Sequence, residues 1–280
     1  MILVQQVVGG LAIGLVYGLV ALGFVLLLRS LDLINFAQGE MMMVGAFLAL
    51  GAWQGLGLPF PLAFVAAVLA TAVVGLVMDR LVAHPLRHAS LIHLVIATVA
   101  VSLFLKNAAL LLGGPEPLAF PSLFDEAPVT FGPVRLAPHT LLILGAALGL
   151  VGLLQVFFLW TRSGLALRAV MADSEMAALL GVPLARVRAV AFALSAALGA
   201  TGGILIAPLV FVSFDMGSLG LKAFTAAALG GLYSIPGAIW GGLLLGVLEN
   251  LLAGAISSGY RDALVYTILI VVLVGRAIRR

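Results

Sequence analysis

The chain has no cysteine among its 280 residues. That excludes a disulfide, a thiolate metal site and a cysteine nucleophile. Charge is scarce too: Asp, Glu, Lys and Arg make up 9% of the residues, against 64% hydrophobic. A soluble domain is nearer to about a quarter charged and about half apolar. Lys106 and Lys222 are the only lysines, and neither stands in a GxxxxGK[ST] loop, so the chain does not bind ATP in that way. HExxH, GxSxG and paired-carboxylate constellations are missing as well, so no catalytic residue is expected. No metal site is expected either. His84 and His88 are four apart, but Pro85 between them breaks the helical spacing, and His93 and His139 are isolated. The first residues lack the charged start of a cleavable signal, so the first apolar run is expected to be retained. Nothing points to nucleic acid.

What is present is apolar length. Mean hydropathy is +1.28, the value of an integral membrane protein. A membrane-crossing helix needs about 20 apolar residues, so there is room for about eight or nine helices with their connections. The long unbroken runs exclude a β-barrel, which would show short alternating segments. The expected fold is therefore all-α and polytopic, a single membrane domain over 1–280 in contact with lipid. The 33 glycines suit helices that approach closely in lipid.

Along the chain, the first span is expected over 5–28. Gly10, Gly14 and Gly18 recur every four residues and make a smooth strip for a neighbouring helix. The next stretch, SLDLINFAQGE, sets Asp32, Asn35, Gln38 and Glu40 close to the membrane. Asp32 suits either a solvated turn or a buried path; Asn35 and Glu40 are assigned to the path. Further spans are expected over 41–53, 60–78, 91–113, 140–160 and 189–212, with a last one over 260–274. Lys106 lies inside its span, either snorkelling outward or facing the path. The segment 114–138 is Pro-rich and acidic, and VTFGPVRL within it reads as a small hairpin. In LKAFTAAALGGLYSIPGAIW, the residues Gly230, Gly231, Pro236 and Gly237 interrupt an apolar run. Such a break reads as a discontinuous or re-entrant helix and a candidate gate, or else as a tight hairpin between two spans. Glu249 and Asn250 interrupt the apolar run that follows.

The longest polar stretch that reads as helical is Thr161 to Arg188, TRSGLALRAVMADSEMAALLGVPLARVR. Leu167, Val170 and Met171 fall on one helical face, with Arg168 on another. Asp173 and Ser174 are good N-caps, and Glu175 suits the first turn of a second short helix. Gly181 and then Pro183 stop that helix. The stretch is either a docking surface for a soluble partner or an amphipathic loop that anchors neighbouring spans. Placing 29, 79–90, 161–188 and the C-terminal arginines on one side gathers ten of the fourteen basic residues there. By the positive-inside rule that side is cytoplasmic. The N-terminus and the acidic 114–138 segment are then outside.

These residues also resemble a known family. LVYGLVALGFVLL with LINFAQGEMMMVGAF, then GLALRAVMADSEMAALLGVPLARV, then KAFTAAALGGLYSIPGAIWGGLLLGVLE, occur in the order and spacing of the LivH-type permease subunits of branched-chain amino acid ABC importers. The likeness runs over nearly the whole chain. Family members more often have His where Gln38 stands, and the RAIRR ending differs from the usual tail. The resemblance implies a permease without enzymatic activity in a bacterial or archaeal inner membrane. Its partners would be a homologous second permease, two ATP-binding cassette subunits and an extracytoplasmic binding protein, with ATP and Mg held by the ATPases. It implies that Gly164, Arg168, Ala169, Asp173, Ala177 and Gly181 belong to the loop that contacts the ATPase. It matches Asn35 and Glu40 to the family's polar first-to-second-span segment. Asn35, Glu40, Lys106 and Glu249 are the available polar candidates for the path. The cargo alternatives are urea, short amides or other amino acids; a stand-alone channel or secondary carrier is the rival from another class.

Overall fold

A computed structural model describes residues 2–86, 89–121, 129–131, 134–255 and 261–278. His88 and parts of the 79–90, 114–138, 260–274 and C-terminal segments named above lie outside them. Eleven helices and one hairpin make up the described chain, in the order α1 (Ile2–Leu31), α2 (Gln38–Leu50), α3 (Phe60–Met78), α4 (Leu91–Gly113), β1 (Val129–Phe131), β2 (Val134–Leu136), α5 (Pro138–Trp160), α6 (Arg162–Ala172), α7 (Ser174–Leu179), α8 (Leu184–Val210), α9 (Leu219–Gly230), α10 (Ile235–Ala255) and α11 (Arg261–Ile278). Six of these helices, α3 taken with the turn that follows it, are long and apolar enough to cross a membrane. The protein is a multi-pass helical membrane protein.

The bundle is built around α1. The apolar window of α1 is 89% buried, against 6% in α4, so α1 is the centre and α4 the rim. A helix that is apolar all round belongs in such a position. The glycine strip explains how α1 gets there. A Cβ at Gly10 would meet Gly246 and Val247, one at Gly14 would meet Gly242 and Leu243, and one at Gly18 would meet Ile239. The order is reversed along the two chains, so α1 and α10 pack antiparallel with their backbones nearly touching. Such contact gains dispersion where water supplies no hydrophobic drive.

Several boundaries differ from expectation. The first helix runs on through Arg29 to Leu31, because Ser30 satisfies its hydroxyl on the Leu26 carbonyl at 2.6 Å and does not break the turn. Asp32, at φ 49°, ends it. The third and second helices each pass into one π turn, Asp79–Ala83 and Gly51–Gly55, which periodicity does not reveal. The expected loop at 79–90 therefore starts as a continued helix. The eighth helix begins at Leu184, so Arg186 and Arg188 sit on its first turns. Asp79 draws Arg188 to it, Nε to Oδ1 at 2.5 Å, which fastens the end of α3 to the start of α8. The hairpin falls where expected, pairing Thr130 with Arg135.

The interrupted run resolves into two helices. Gly231, at φ 103°, ends α9, and Ser234 caps α10 by accepting from Gly237 N at 3.0 Å. Gly230 and Gly237 face each other so closely that a Cβ on either would collide with the other's carbonyl. The arrangement is a tight helical hairpin with one short arm, α9, and one arm of spanning length, α10.

Candidate functional site

The polar first connection is folded inward. After Asp32 the chain turns at Asn35, whose Oδ1 accepts from Ala37 N at 3.0 Å, and Phe36 N donates to Thr98 Oγ1 at 3.2 Å. Asn35 is buried and serves this turn. Gln38 then opens α2 in a polar knot of three helices. Its Nε2 donates to the Ser195 carbonyl at 2.9 Å, and the Ser195 hydroxyl lies 2.7 Å from Gln38 Oε1 and 2.9 Å from the Gly23 carbonyl. Every member of the knot is buried and partnered, which fixes where α2 starts.

Two residues on, Glu40 faces a cavity of about 270 Å³. Its walls come from α1, α2, α4 and the start of α9: Phe24 and Phe36, Val99 and Leu103, Leu221 and Phe224. Ser102 donates to Glu40 Oε1 at 3.1 Å. Lys106 stands four residues beyond Ser102 and therefore on the same face of α4. Its Nζ is 2.5 Å from Asp215 Oδ1 and 5.6 Å from the centre of the Phe214 ring. Glycines leave the space: a Cβ on Gly217 would run into the Glu40 carboxylate, and one on Gly39 would run into the Gly217 carbonyl.

Of the four path candidates, then, Glu40 and Lys106 share one cavity and Asn35 shapes the turn leading to it. Glu249 is elsewhere. Its carboxylate is fully buried and takes Lys222 Nζ at 2.8 Å, tying α10 to α9. Gly230, Gly231, Pro236 and Gly237 do not line the cavity; the opposite end of α9 does. Asp215, Ser102 and Gly217 were not singled out in the sequence. A serine one turn before Lys106 was the available signal; Asp215, 109 positions away, left none.

The second cluster is the corner at 161–188. Thr161 Oγ1 accepts from Gly164 N at 2.9 Å and caps α6. Gly164 is required there, since a Cβ would strike the Phe157 carbonyl as the chain doubles back. Asp173 Oδ1 accepts from Glu175 N at 3.0 Å and Met176 N at 2.9 Å, capping α7. Gly181, at φ 83°, ends it in the left-handed conformation. Leu167, Val170 and Ala177 are buried and hold the corner to the bundle. Ala169 is half-buried and Arg168 is exposed. The outer surface is unexpectedly apolar: Met176 is 53% exposed, Leu179 81% and Leu180 79%.

A bundle of apolar helices with a charged cavity among them, and an ordered polar corner at one end, defines a membrane subunit that moves a small solute. The chain belongs to the family described as branched-chain amino acid transport system / permease component, which matches residues 6–273. The high-affinity branched-chain amino acid transport system permease protein LivH of Escherichia coli (strain K12) is 33% identical to it, over 96% of this chain and 92% of that protein. The corresponding protein BraD of Pseudomonas aeruginosa is 35% identical, over 97% and 93%. The probable branched-chain amino acid transport permease protein LivH of Methanocaldococcus jannaschii is 30% identical, over 86% and 78%.

Proposed function

We propose that this chain is the membrane-spanning subunit of an ATP-driven importer for branched-chain amino acids. It pairs with a homologous second permease, rests on two ATP-binding cassette subunits and receives its cargo from an external binding protein. ATP and Mg are bound by the cassette subunits. The corner at 161–188 faces the cytoplasm and is where a cassette docks. The observation that carries this reading is the corner itself. Met176, Leu179 and Leu180 lie bare on a capped helix outside the apolar spans. Exposed apolar side chains clustered on an ordered element mark an interaction surface. Arg168, exposed on α6, adds charge for an acidic partner.

The orientation draws support from the Arg188–Asp79 pair, which brings the basic 79–90 and 161–188 segments to the same end of the bundle. Closure of the cassettes on ATP moves α6 and α7. Gly164 and the α8 start, to which α6 is packed, pass that movement to the spans. A coupling of this kind needs two states that ATP binds differently. The path runs beside Glu40 and Lys106.

The test is purification of the tagged chain from native membranes, with identification of what accompanies it. A second multi-span protein together with soluble ATPases is the expected result. A chain that purifies alone and passes solute through liposomes without ATP overturns the proposal.

A further inference from the structure

We infer that the cavity at Glu40 holds an α-amino acid in transit, with Glu40 taking its ammonium, Lys106 its carboxylate, and Phe36, Leu221 and Phe224 its aliphatic side chain. This rests on the transport reading above and goes further by assigning the charged ends of the cargo to particular atoms.

The first support is an unfilled acceptor. Glu40 is 7% exposed, and only one of its carboxylate oxygens has a donor, from Ser102. The other, Oε2, is buried with no hydrogen-bond partner among the described residues. A buried charged oxygen without a donor is costly, and native structures retain few of them. An ammonium group brings three donors to such a position. Gly217 keeps the approach open, since any side chain there would occupy the space beside the carboxylate.

The second support is an exchangeable cation. Lys106 and Asp215 pair across the cavity mouth with side chains 38% and 61% exposed. A pair as open as this is held weakly. A cargo carboxylate can join Asp215 on the lysine or replace it. Glu40 is held by Ser102, and Lys106 follows Ser102 by one helical turn on α4, so a negative and a positive group line the same cavity. Two opposed charges on one cavity suit a zwitterion, whose own two charges are carried on one carbon. The remaining walls are apolar, with Phe36 and Phe224 in ring contact at 6.5 Å. Opposed charges joined by an apolar wall favour a zwitterionic aliphatic amino acid over urea or a short amide, which carry no charges to meet them.

The test uses the assembly purified from native membranes in detergent, without the binding protein, and radiolabelled L-leucine as probe. Isoamylamine, which lacks the carboxylate, and 4-methylpentanoate, which lacks the ammonium, serve as competitors. Leucine is expected to bind, with each analogue competing at least about tenfold more weakly, since a hydrogen-bonded charge is lost with either. Glu40→Gln is expected to weaken leucine about tenfold and leave 4-methylpentanoate unchanged. Lys106→Met should weaken leucine and 4-methylpentanoate and leave isoamylamine unchanged. Glu40→Asp should recover part of the loss, and Gly217→Ala should reduce leucine binding with every charge in place. Equal weakening of all three compounds in Glu40→Gln indicates a structural role and overturns the inference. So does a wild-type assembly that binds no leucine, or one that does not distinguish leucine from 4-methylpentanoate. Co-purification with ATPases and ATP-driven uptake are read separately, so the transport proposal stands or falls without this result.

Discussion

Asp173 caps the short helix of the 161–188 corner with a single side-chain oxygen. The helix it caps, Ser174–Leu179, has six residues. A helix that short is not stable on its own in water. Its order rests on Ala177 buried against the bundle, on Gly181 ending it, and on two hydrogen bonds from Glu175 N and Met176 N to Asp173 Oδ1. Replacing an N-cap Asp by Ala costs about 1 kcal/mol, within a range of roughly 0.5–2. About 1 kcal/mol is roughly a fivefold change in the local opening equilibrium. In Asp173→Ala the amides of residues 177–180 should therefore exchange with deuterium about fivefold faster, with the spans unaffected. Asn caps as well as Asp. Asp173→Asn should then stay near wild type in exchange, although its charge is gone. Peptide-resolved hydrogen exchange on the purified assembly reads both. Transport per ATP hydrolysed should fall in the Ala variant and hold in the Asn variant. Equal behaviour of Ala and Asn, or no acceleration in Ala, refutes the capping argument.

Further perturbations follow from packing and from buried charge. Lys222→Met leaves the fully buried Glu249 carboxylate without its ammonium; the loss should be about 3–5 kcal/mol, and adding Glu249→Leu should restore most of it. Thermal unfolding in detergent reads the pair, and a double variant no better than the single contradicts the expectation. Gly14→Ala puts a Cβ 2.9 Å from Leu243 Cα and closer still to the Gly242 carbonyl, whereas Gly149→Ala meets nothing within 4 Å. The first should lose about 1–3 kcal/mol and the second close to nothing, by the same unfolding measurement.

Much of this architecture is legible in the residues, for reasons that can be named. The start of α3 follows from Pro59 and Pro61, and the bounds of α4 from Ser90 and from Gly113 and Gly114, which start or stop a helix locally. The corner at 161–188 reads correctly because caps are local: Asp173 needs only its next three residues. What stays hidden depends on partners far away in the chain. Lys106 reads first as a snorkelling residue, with a role in the path as the other reading, until Asp215 is placed beside it. Glu249 stands in the sequence, beside Asn250, as a polar break in an apolar run until Lys222 is seen to pair with it. The π turns at 51–55 and 79–83 leave no mark in the apolar periodicity. The exposed apolar face of α7 is hidden for a further reason: helical spacing groups Met176, Leu179 and Leu180 on one face without saying whether that face is buried.

The most direct test of importer function is leucine accumulation in proteoliposomes holding the purified assembly, with the binding protein outside and ATP either enclosed or omitted. Accumulation against a gradient only in the ATP-loaded vesicles, lost when the cassette subunits are stripped off, is the predicted result. Leucine equilibrating at the same rate with and without ATP, through this chain alone, would contradict it.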